Sequence, residues 1–234
     1  MTTGTDHTAS APSSAVHDAV RECARRAAKG SASLVNAPES AIDAALRGMA
    51  ERVRSAAPAL IGANEADLTA ARAGGMSEAL QDRLRLTAER LDARAAQLTA
   101  RADGPDEPRD RVVERRPDGL TLLERRRPVG VIGANFEARP NVTVDIASQL
   151  LKSRNGGVLR TGSAALRSSQ ALMDAVVAPS LAEAGLDPDA IQLIPVEDRS
   201  AAYALVAVPD LVPLVILRGS GESKIGRASC RERV

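Results

Sequence analysis

The sequence predicts an α/β protein: an open parallel sheet, preceded by an N-terminal helical region and a β-hairpin. Three features lead there. Apolar residues recur at helical spacing from Ala15 to about Arg101, and a Pro-Asp-Gly turn sits between two short strand-like runs at residues 111–127. From Val129 to Leu217, β-branched runs then alternate with helical segments. Such alternation is the pattern of a parallel sheet covered by helices.

Met1 to Ser14 is rich in Thr, Ser and Ala without periodicity and is expected to be disordered, leaving residues 15–223 as the folding unit. In the helical region Ile42, Leu46, Met49 and Val53 mark one amphipathic face. Pro38 and Glu39 open that helix and Pro58 begins the next. Gly74-Gly75 ends it in a form that tolerates positive φ. Leu80, Leu84, Leu91 and Leu98 are expected to continue the stripe on a longer helix. Asp103 to Asp110 is a loop, and the hairpin over residues 111–127 turns at Pro117-Asp-Gly119, with Val112, Leu120 and Leu122 available to face a core. The cluster Arg125-Arg126-Arg127 reads as a solvated strand edge, with phosphate binding as the alternative.

In the central stretch, Val129-Gly-Val-Ile-Gly133 and Gly157-Val-Leu159 bracket a helix whose first turn suits Pro140. Val142, Ile146 and Leu150 fall on one face of it. This is a βαβ unit, and parallel sheets bind ligands where strands end and helices begin. The turn Asn135-Phe-Glu-Ala-Arg-Pro-Asn141 lies at that edge, so Glu137, Arg139 and Asn141 are expected at an active-site mouth. The structural alternative is a fixed loop in which Glu137 and Arg139 pair with each other or with backbone groups. Ala164 to Ala184 then reads as a helix closed by Gly185, Ile191 to Ile194 as a short strand, and Asp198 as the cap of a helix running to Val208. Leu214 to Leu217 is expected to be another buried strand, giving four strands and three crossover helices from Val129 onward. Two strand ends suit a phosphate-bearing ligand. Arg160, Gly162 and Ser163 lead into a helix start, with an ordinary strand-to-helix turn carrying a surface Arg as the equal alternative, and Arg218-Gly219-Ser220-Gly221 is a glycine-bearing loop, by itself a weak signal, whose amides can approach a ligand closely. The fingerprint G-x-G-x-x-G of the standard dinucleotide fold is absent.

Composition excludes several classes. Phe136 and Tyr203 are the only aromatics, so the 44% hydrophobic fraction is mostly aliphatic and the core must be built from many small contacts. No apolar run approaches the ~20 residues needed to cross a bilayer, and no secretory signal is expected at the N-terminus, which points to a cytoplasmic protein without a membrane partner. Cys23 and Cys230 are too few for a disulfide framework or a zinc site, His7 and His17 read as solvated, and no metal is expected. Cys23 lies among alanines with no group to lower its pKa, so it reads as a structural thiol. Residues 224–234 back-translate to a common sequencing adaptor that continues into a stop codon, and are read as an artefact of that origin. Without them, 31 basic and 30 acidic residues become 27 and 29, and no nucleic-acid partner is suggested.

Pro128-Val-Gly-Val-Ile-Gly133, Glu137-Ala-Arg-Pro-Asn-Val-Thr-Val-Asp145 and Val158-Leu-Arg-Thr-Gly162 resemble gamma-glutamyl phosphate reductase, of the aldehyde dehydrogenase superfamily. Shorter matches occur at Ala63-Asn-Glu-Ala-Asp67, Asp82-Arg-Leu-Arg-Leu86 and Asp118-Gly-Leu120, so the likeness runs from about Ala15 to Gly221. It implies an aldehyde-dehydrogenase-like sheet with the catalytic domain missing from this chain. It also implies NADPH-dependent reduction of L-glutamate 5-phosphate to L-glutamate 5-semialdehyde in L-proline biosynthesis. In the superfamily a Lys at the position of Arg160 contacts the adenosine ribose or its 2′-phosphate, and an Arg there suits NADPH because it forks two hydrogen bonds onto phosphate. The family's nucleophile is a cysteine in a second domain, attacking the acyl phosphate to form a thioester. Cys230, in the adaptor-like segment, is not that residue, so no catalytic residue is assigned and the fragment is expected to be inactive. The resemblance further implies a homo-oligomer for the full-length protein and glutamate 5-kinase as its pathway neighbour. A non-catalytic dinucleotide-binding module and another acylating aldehyde dehydrogenase are the alternatives. One position departs from the family: Arg154 stands where a Gly usually precedes Asn, and a positive φ there would strain it by ~1 kcal/mol or more.

Overall fold

The computed structural model describes residues 12–105 and 109–218. Its N-terminal part is helical: α1 (Ser14–Val35), α2 (Glu39–Ser55), α3 (Ala57–Ala73), α4 (Glu78–Leu84) and α5 (Ala88–Ala102). The first helix begins inside the stretch expected to be disordered, because the Ser13 hydroxyl accepts from Val16 N and caps it. Pro38 and Pro58 start α2 and α3 as their fixed φ predicts, and Gly75 turns the chain at φ 74° after α3. The single long helix expected through Leu80 to Leu98 is instead two. Arg85 is extended at φ −67° and ψ 129°, and the Thr87 hydroxyl accepts from Arg90 N to cap α5 afresh. Leu80, off the stripe, is left exposed.

A hairpin of β1 (Asp110–Arg115) and β2 (Thr121–Arg125) follows, turning at Gly119 with φ 90°. Val112, Leu120 and Leu122 do not reach a core: they are 44%, 61% and 55% exposed. Period-two patterning reports that a strand has two faces but not that anything covers either of them.

The second sheet holds β3 (Val131–Asn135), β4 (Gly156–Arg160), β5 (Ile191–Leu193) and β6 (Leu214–Leu217), all parallel in the order β5-β4-β3-β6. The connections are α6 (Asn141–Lys152), then α7 (Leu166–Leu172) joined through a π-helical turn at Met173–Val177 to α8 (Ala178–Glu183), and α9 (Ala201–Val206). Strand residues alternate between two cores. Val131 and Val158 pack under α1 and α9, while Ala134 and Leu159 face α2, α5, α6 and the α7–α8 rod. On α6 the deepest face is Ala147, Leu150 and Leu151, while Val142 and Ile146 are only half-buried, because the helix meets α5 as well as the sheet. Strand β6 is not buried as expected: it is an edge, with Leu214 and Ile216 exposed.

Arg154 ends α6 at φ 58°, the sole non-glycine residue with positive φ among the described residues. Its guanidinium is buried and donates to Leu34 O at 3.3 Å, to Ala37 O, and to Glu39 Oε2 at 2.6 Å. Lys152 Nζ donates to Glu39 Oε1 at 2.9 Å and to Asp43 Oδ1 at 2.8 Å. Burial works to raise the Glu39 carboxyl, but the two cations outweigh it and hold it below the usual range. The side chain thus returns what the backbone loses by fixing the α1–α2 junction to the end of α6. Arg154→Gly is therefore expected to destabilise the chain by about 1–2 kcal/mol despite relieving the φ strain, since charged hydrogen bonds of ~1.5–3 kcal/mol are lost against ~1–2 recovered. A urea midpoint equal to or above that of the parent would show that strain outweighs the anchor.

Candidate active-site cleft

The carboxyl ends of the sheet strands bring the site together. Asn135 of β3 lies in register with Arg160 of β4 and Leu217 of β6. Beyond these residues the rim is laced by backbone bonds: Phe136 N to Arg160 O at 2.9 Å, Gly162 N to Phe136 O at 3.1 Å, and Arg218 N to Asn135 O at 2.9 Å. The turn at 135–141 is tight, with Arg139 N donating to Glu137 O at 2.7 Å, and it holds the exposed Glu137 and Arg139 side chains at the mouth.

That turn stands between two adjoining clefts. One, of about 430 Å³, is lined by Asn135, Glu137, Arg139, Arg160, Gly162, Ser163 and Arg199, with Met76, Leu80 and Arg83 across from them. The other, of about 790 Å³, is lined by Glu137, Arg139, Asn141, Asp145, Arg83, Arg94 and Arg218. Glu137 and Arg139 therefore face both. Arg160, Gly162 and Ser163 share the smaller cleft; Asn141 and Arg218 share the larger. Gly219, Ser220 and Gly221 lie outside the described residues, as do residues 224–234 with Cys230. Arg83 and Arg199 were not singled out by the sequence. Arg83 falls within the matched run 82–86, but only folding turns it towards the turn at 135–141.

The smaller cleft is strongly cationic, with Arg83, Arg139, Arg160 and Arg199 against one carboxylate, Glu137. Arg160 is 8% exposed, and its Nε has no hydrogen-bond partner among the described residues. Its remaining contacts are long: Nη1 donates to Asn135 Oδ1 at 3.3 Å and Nη2 to Asp198 O at 3.5 Å. Burial, aided by the Arg199 charge and opposed by Asp198, lowers its pKa from the guanidinium value. A buried cation so poorly satisfied is costly unless an anion completes it. In the larger cleft Arg94 pairs with Asp145 at 3.1 Å, while burial, outweighing Arg94 and Arg101, raises the Asp145 carboxyl.

Behind the clefts, α3 supplies a buried polar tie. Asn64 Nδ2 donates to Leu84 O at 2.9 Å and to Ser168 Oγ at 3.0 Å, and Asn64 Oδ1 accepts from Leu86 N at 2.7 Å. Asp67 Oδ2 accepts from Ser168 N at 2.9 Å and from Ser168 Oγ at 2.6 Å. The run Ala63 to Asp67 thereby joins the segment bearing Arg83 to the helix that follows Ser163. Cys23 is elsewhere: it is buried on α1, its Sγ 3.8 Å from Leu193 O, and burial raises its pKa. Among the described residues no group of three or more metal-ligating side chains occurs, and no helix is long and apolar enough to cross a membrane.

The chain is 42% identical over 164 residues to gamma-glutamyl phosphate reductase of Novosphingobium aromaticivorans, matching 69% of this chain and 38% of that protein. It is 48% identical over 166 residues to the enzyme of that name from an Anaeromyxobacter species, again covering 70% of this chain and 38% of the relative. Over this stretch the chain is a homologue of gamma-glutamyl phosphate reductase. The crystal structure of gamma-glutamyl phosphate reductase from Thermotoga maritima superposes with a TM-score of 0.82 at 32% identity, over 88% of this chain and 50% of that one. More distant structures share the fold alone. An acetylating aldehyde dehydrogenase of Geobacillus thermoglucosidasius gives a TM-score of 0.60 at 16% identity, over 82% of this chain and 39% of that one. A glyceraldehyde-3-phosphate dehydrogenase of Methanocaldococcus jannaschii, complexed with NADP, gives 0.59 at 17%, over 82% and 39%. No family model matches the sequence. The chain thus spans 38% of the length of the curated gamma-glutamyl phosphate reductases it matches, and its sheet is of the aldehyde dehydrogenase type.

Proposed function

We propose that this chain supplies the cofactor-binding part of an NADPH-dependent glutamate-5-semialdehyde dehydrogenase. The whole enzyme would reduce L-glutamate 5-phosphate to L-glutamate 5-semialdehyde and phosphate in L-proline biosynthesis. The supporting observation is Arg160, a buried guanidinium with an unpartnered Nε, at a strand's carboxyl end in a cationic cleft. Those features fit the phosphate of a dinucleotide. Arg160, Gly162 and Ser163 would hold the adenosine side of NADPH, and Arg218 with Gly219, Ser220 and Gly221 the side nearer the reaction. When bound, NADPH supplies the hydride. Glu137, Arg139 and Asn141 line the adjoining cleft, where Arg139 would orient the acyl phosphate and offset the negative charge that develops on its oxygens. Cys23 lines neither cleft and burial raises its pKa, which supports a nucleophile contributed from outside the described residues. The exposed hairpin is the surface through which the full-length protein would assemble into a homo-oligomer.

Titrating the chain with NADPH by fluorescence tests this reading. Saturable binding below millimolar cofactor, without NADPH consumption when an acyl phosphate is added, is the expected result. No binding at millimolar NADPH would refute it.

A further inference from the structure

The larger cleft, of about 790 Å³, carries a polar pair beyond the turn at 135–141. Asp145 lies four residues after Asn141 on α6, so both stand on one face of the helix, about 6 Å apart along its axis. From α5, Arg94 Nη1 lies 3.2 Å from one Asp145 carboxylate oxygen and 3.1 Å from the other, and it also donates to Gln97 Oε1 at 2.7 Å. Arg94 Nε and Nη2 make no hydrogen bond among the described residues. The two side chains are 33% and 29% exposed. Neighbouring charges are engaged elsewhere or stand nearer the rim. Asp82 accepts a fork from Arg90 at 2.9 and 3.0 Å, Arg101 donates to Asp145 O and Ser148 Oγ, and Arg83, Glu137 and Arg139 border the smaller cleft as well. The Asp145 carboxylate thus has one protein donor, and burial raises its pKa against the pull of Arg94 and Arg101. A further cation at its oxygens would offset that desolvation.

We propose that Arg94 and Asp145 are specificity-determining residues that recognise the zwitterionic head of the substrate, Asp145 accepting from its α-ammonium and Arg94 donating to its α-carboxylate. The inference rests on the proposed reduction of L-glutamate 5-phosphate, and adds which side chains select an α-amino acid over a plain acyl phosphate. Two lengths fit. One carbon holds the ammonium and carboxylate of an α-amino acid roughly 3 Å apart, close to the 3.1 Å between Arg94 and Asp145. The two ion pairs can therefore lie head to tail. Five bonds join the α-nitrogen to the phosphorylated oxygen and span roughly 6 Å when extended. That is the interval along α6 from Asp145 back to Asn141, beside the turn that holds Arg139. A pair as exposed as this one adds little to the fold by itself.

Isothermal titration of the chain with three stable phosphonates tests this. L-2-amino-5-phosphonopentanoate carries the whole head, 5-phosphonopentanoate lacks the ammonium, and 4-aminobutylphosphonate lacks the carboxylate. The parent should bind the first about tenfold more tightly than either of the others, the low end for a charged hydrogen-bonded contact because the pair is partly exposed. Asp145→Asn should abolish the preference over 5-phosphonopentanoate and keep the preference over 4-aminobutylphosphonate; Arg94→Gln should do the reverse. Arg94→Lys, which keeps the charge beside Asp145 and loses the fork, should give up part of the preference over 4-aminobutylphosphonate while melting with the parent. Residues that only tied α5 to α6 would weaken all three probes alike or none, so uniform weakening or unchanged preferences overturn the assignment. A parent that binds the three probes equally, or none of them at millimolar concentration, overturns it too. NADPH titrated into the same preparation reports on the cofactor reading separately. Binding of NADPH without discrimination among the phosphonates leaves that reading standing, and absence of NADPH binding overturns it whatever the phosphonates do.

Discussion

Arg160→Met is expected to weaken NADPH binding by about a hundredfold while leaving thermal stability within about 3 °C of the parent, or slightly above it. The two effects separate because Arg160 is poorly satisfied by the protein itself. Its two hydrogen bonds are 3.3 and 3.5 Å long, its Nε has none, and it is buried with the like charge of Arg199 nearby. Replacing a buried, ill-paired charge by an apolar side chain of similar length is commonly neutral or stabilising. The ligand would lose a bidentate, charge-assisted contact in a site of low dielectric, which is worth far more than a surface pair. Thermal melting and cofactor titration on the same preparation check the pair of effects. A variant that melted well below the parent yet still bound NADPH would assign Arg160 to the fold and not to the cofactor.

Gly30→Val is expected to destabilise the chain by more than about 3 kcal/mol, a large share of the ~5–15 typical of a domain. At Gly30 helix α1 lies almost on the 3₁₀ turn Pro188–Ala190. A Cβ there would stand 2.4 Å from Ala190 N and 2.7 Å from Asp189 C, which are backbone atoms that cannot rotate away. Helix α1 would have to lift from β4, where Gly156 makes a matching approach: its Cβ would fall 2.7 Å from Ser31 Cβ and 3.1 Å from Ala27 O. Gly30→Ala, with the single clashing atom, should lose about 1–3 kcal/mol. Urea denaturation gives both values, and an unchanged midpoint for the valine variant would mean that α1 does not pack at this distance.

Much of the scaffold could be read without coordinates because its signals are local. Pro38, Pro58 and the Gly74-Gly75 pair punctuate the helices where φ preference demands, and the alternation after Val129 yields the four parallel strands. The departure at Arg154, flagged because a positive φ there would strain it, is a local signal of the same kind, and its φ is 58°. Failures occurred where the outcome depends on what lies opposite. The leucine stripe from Leu80 to Leu98 fits one helix as well as two, and the Thr87 cap decided it. The hairpin leucines and β6 were patterned for burial, yet nothing in the described residues covers them.

The candidate site divides in the same way. By itself the sequence determined the chemistry of the turn Glu137 to Asn141 and the choice of Arg160 at a strand end, since residue type and the strand-to-helix transition are written in order along the chain. Only the tertiary structure decided which groups meet. Arg160 faces Arg199 while Arg218 joins Asn141 in the neighbouring cleft, and Asn64 with Asp67 ties Arg83's segment to the helix after Ser163. These partners stand from 20 to 104 residues apart in sequence. They are brought together by the strand order β5-β4-β3-β6 and by the packing of α3 on α7, which no periodicity encodes.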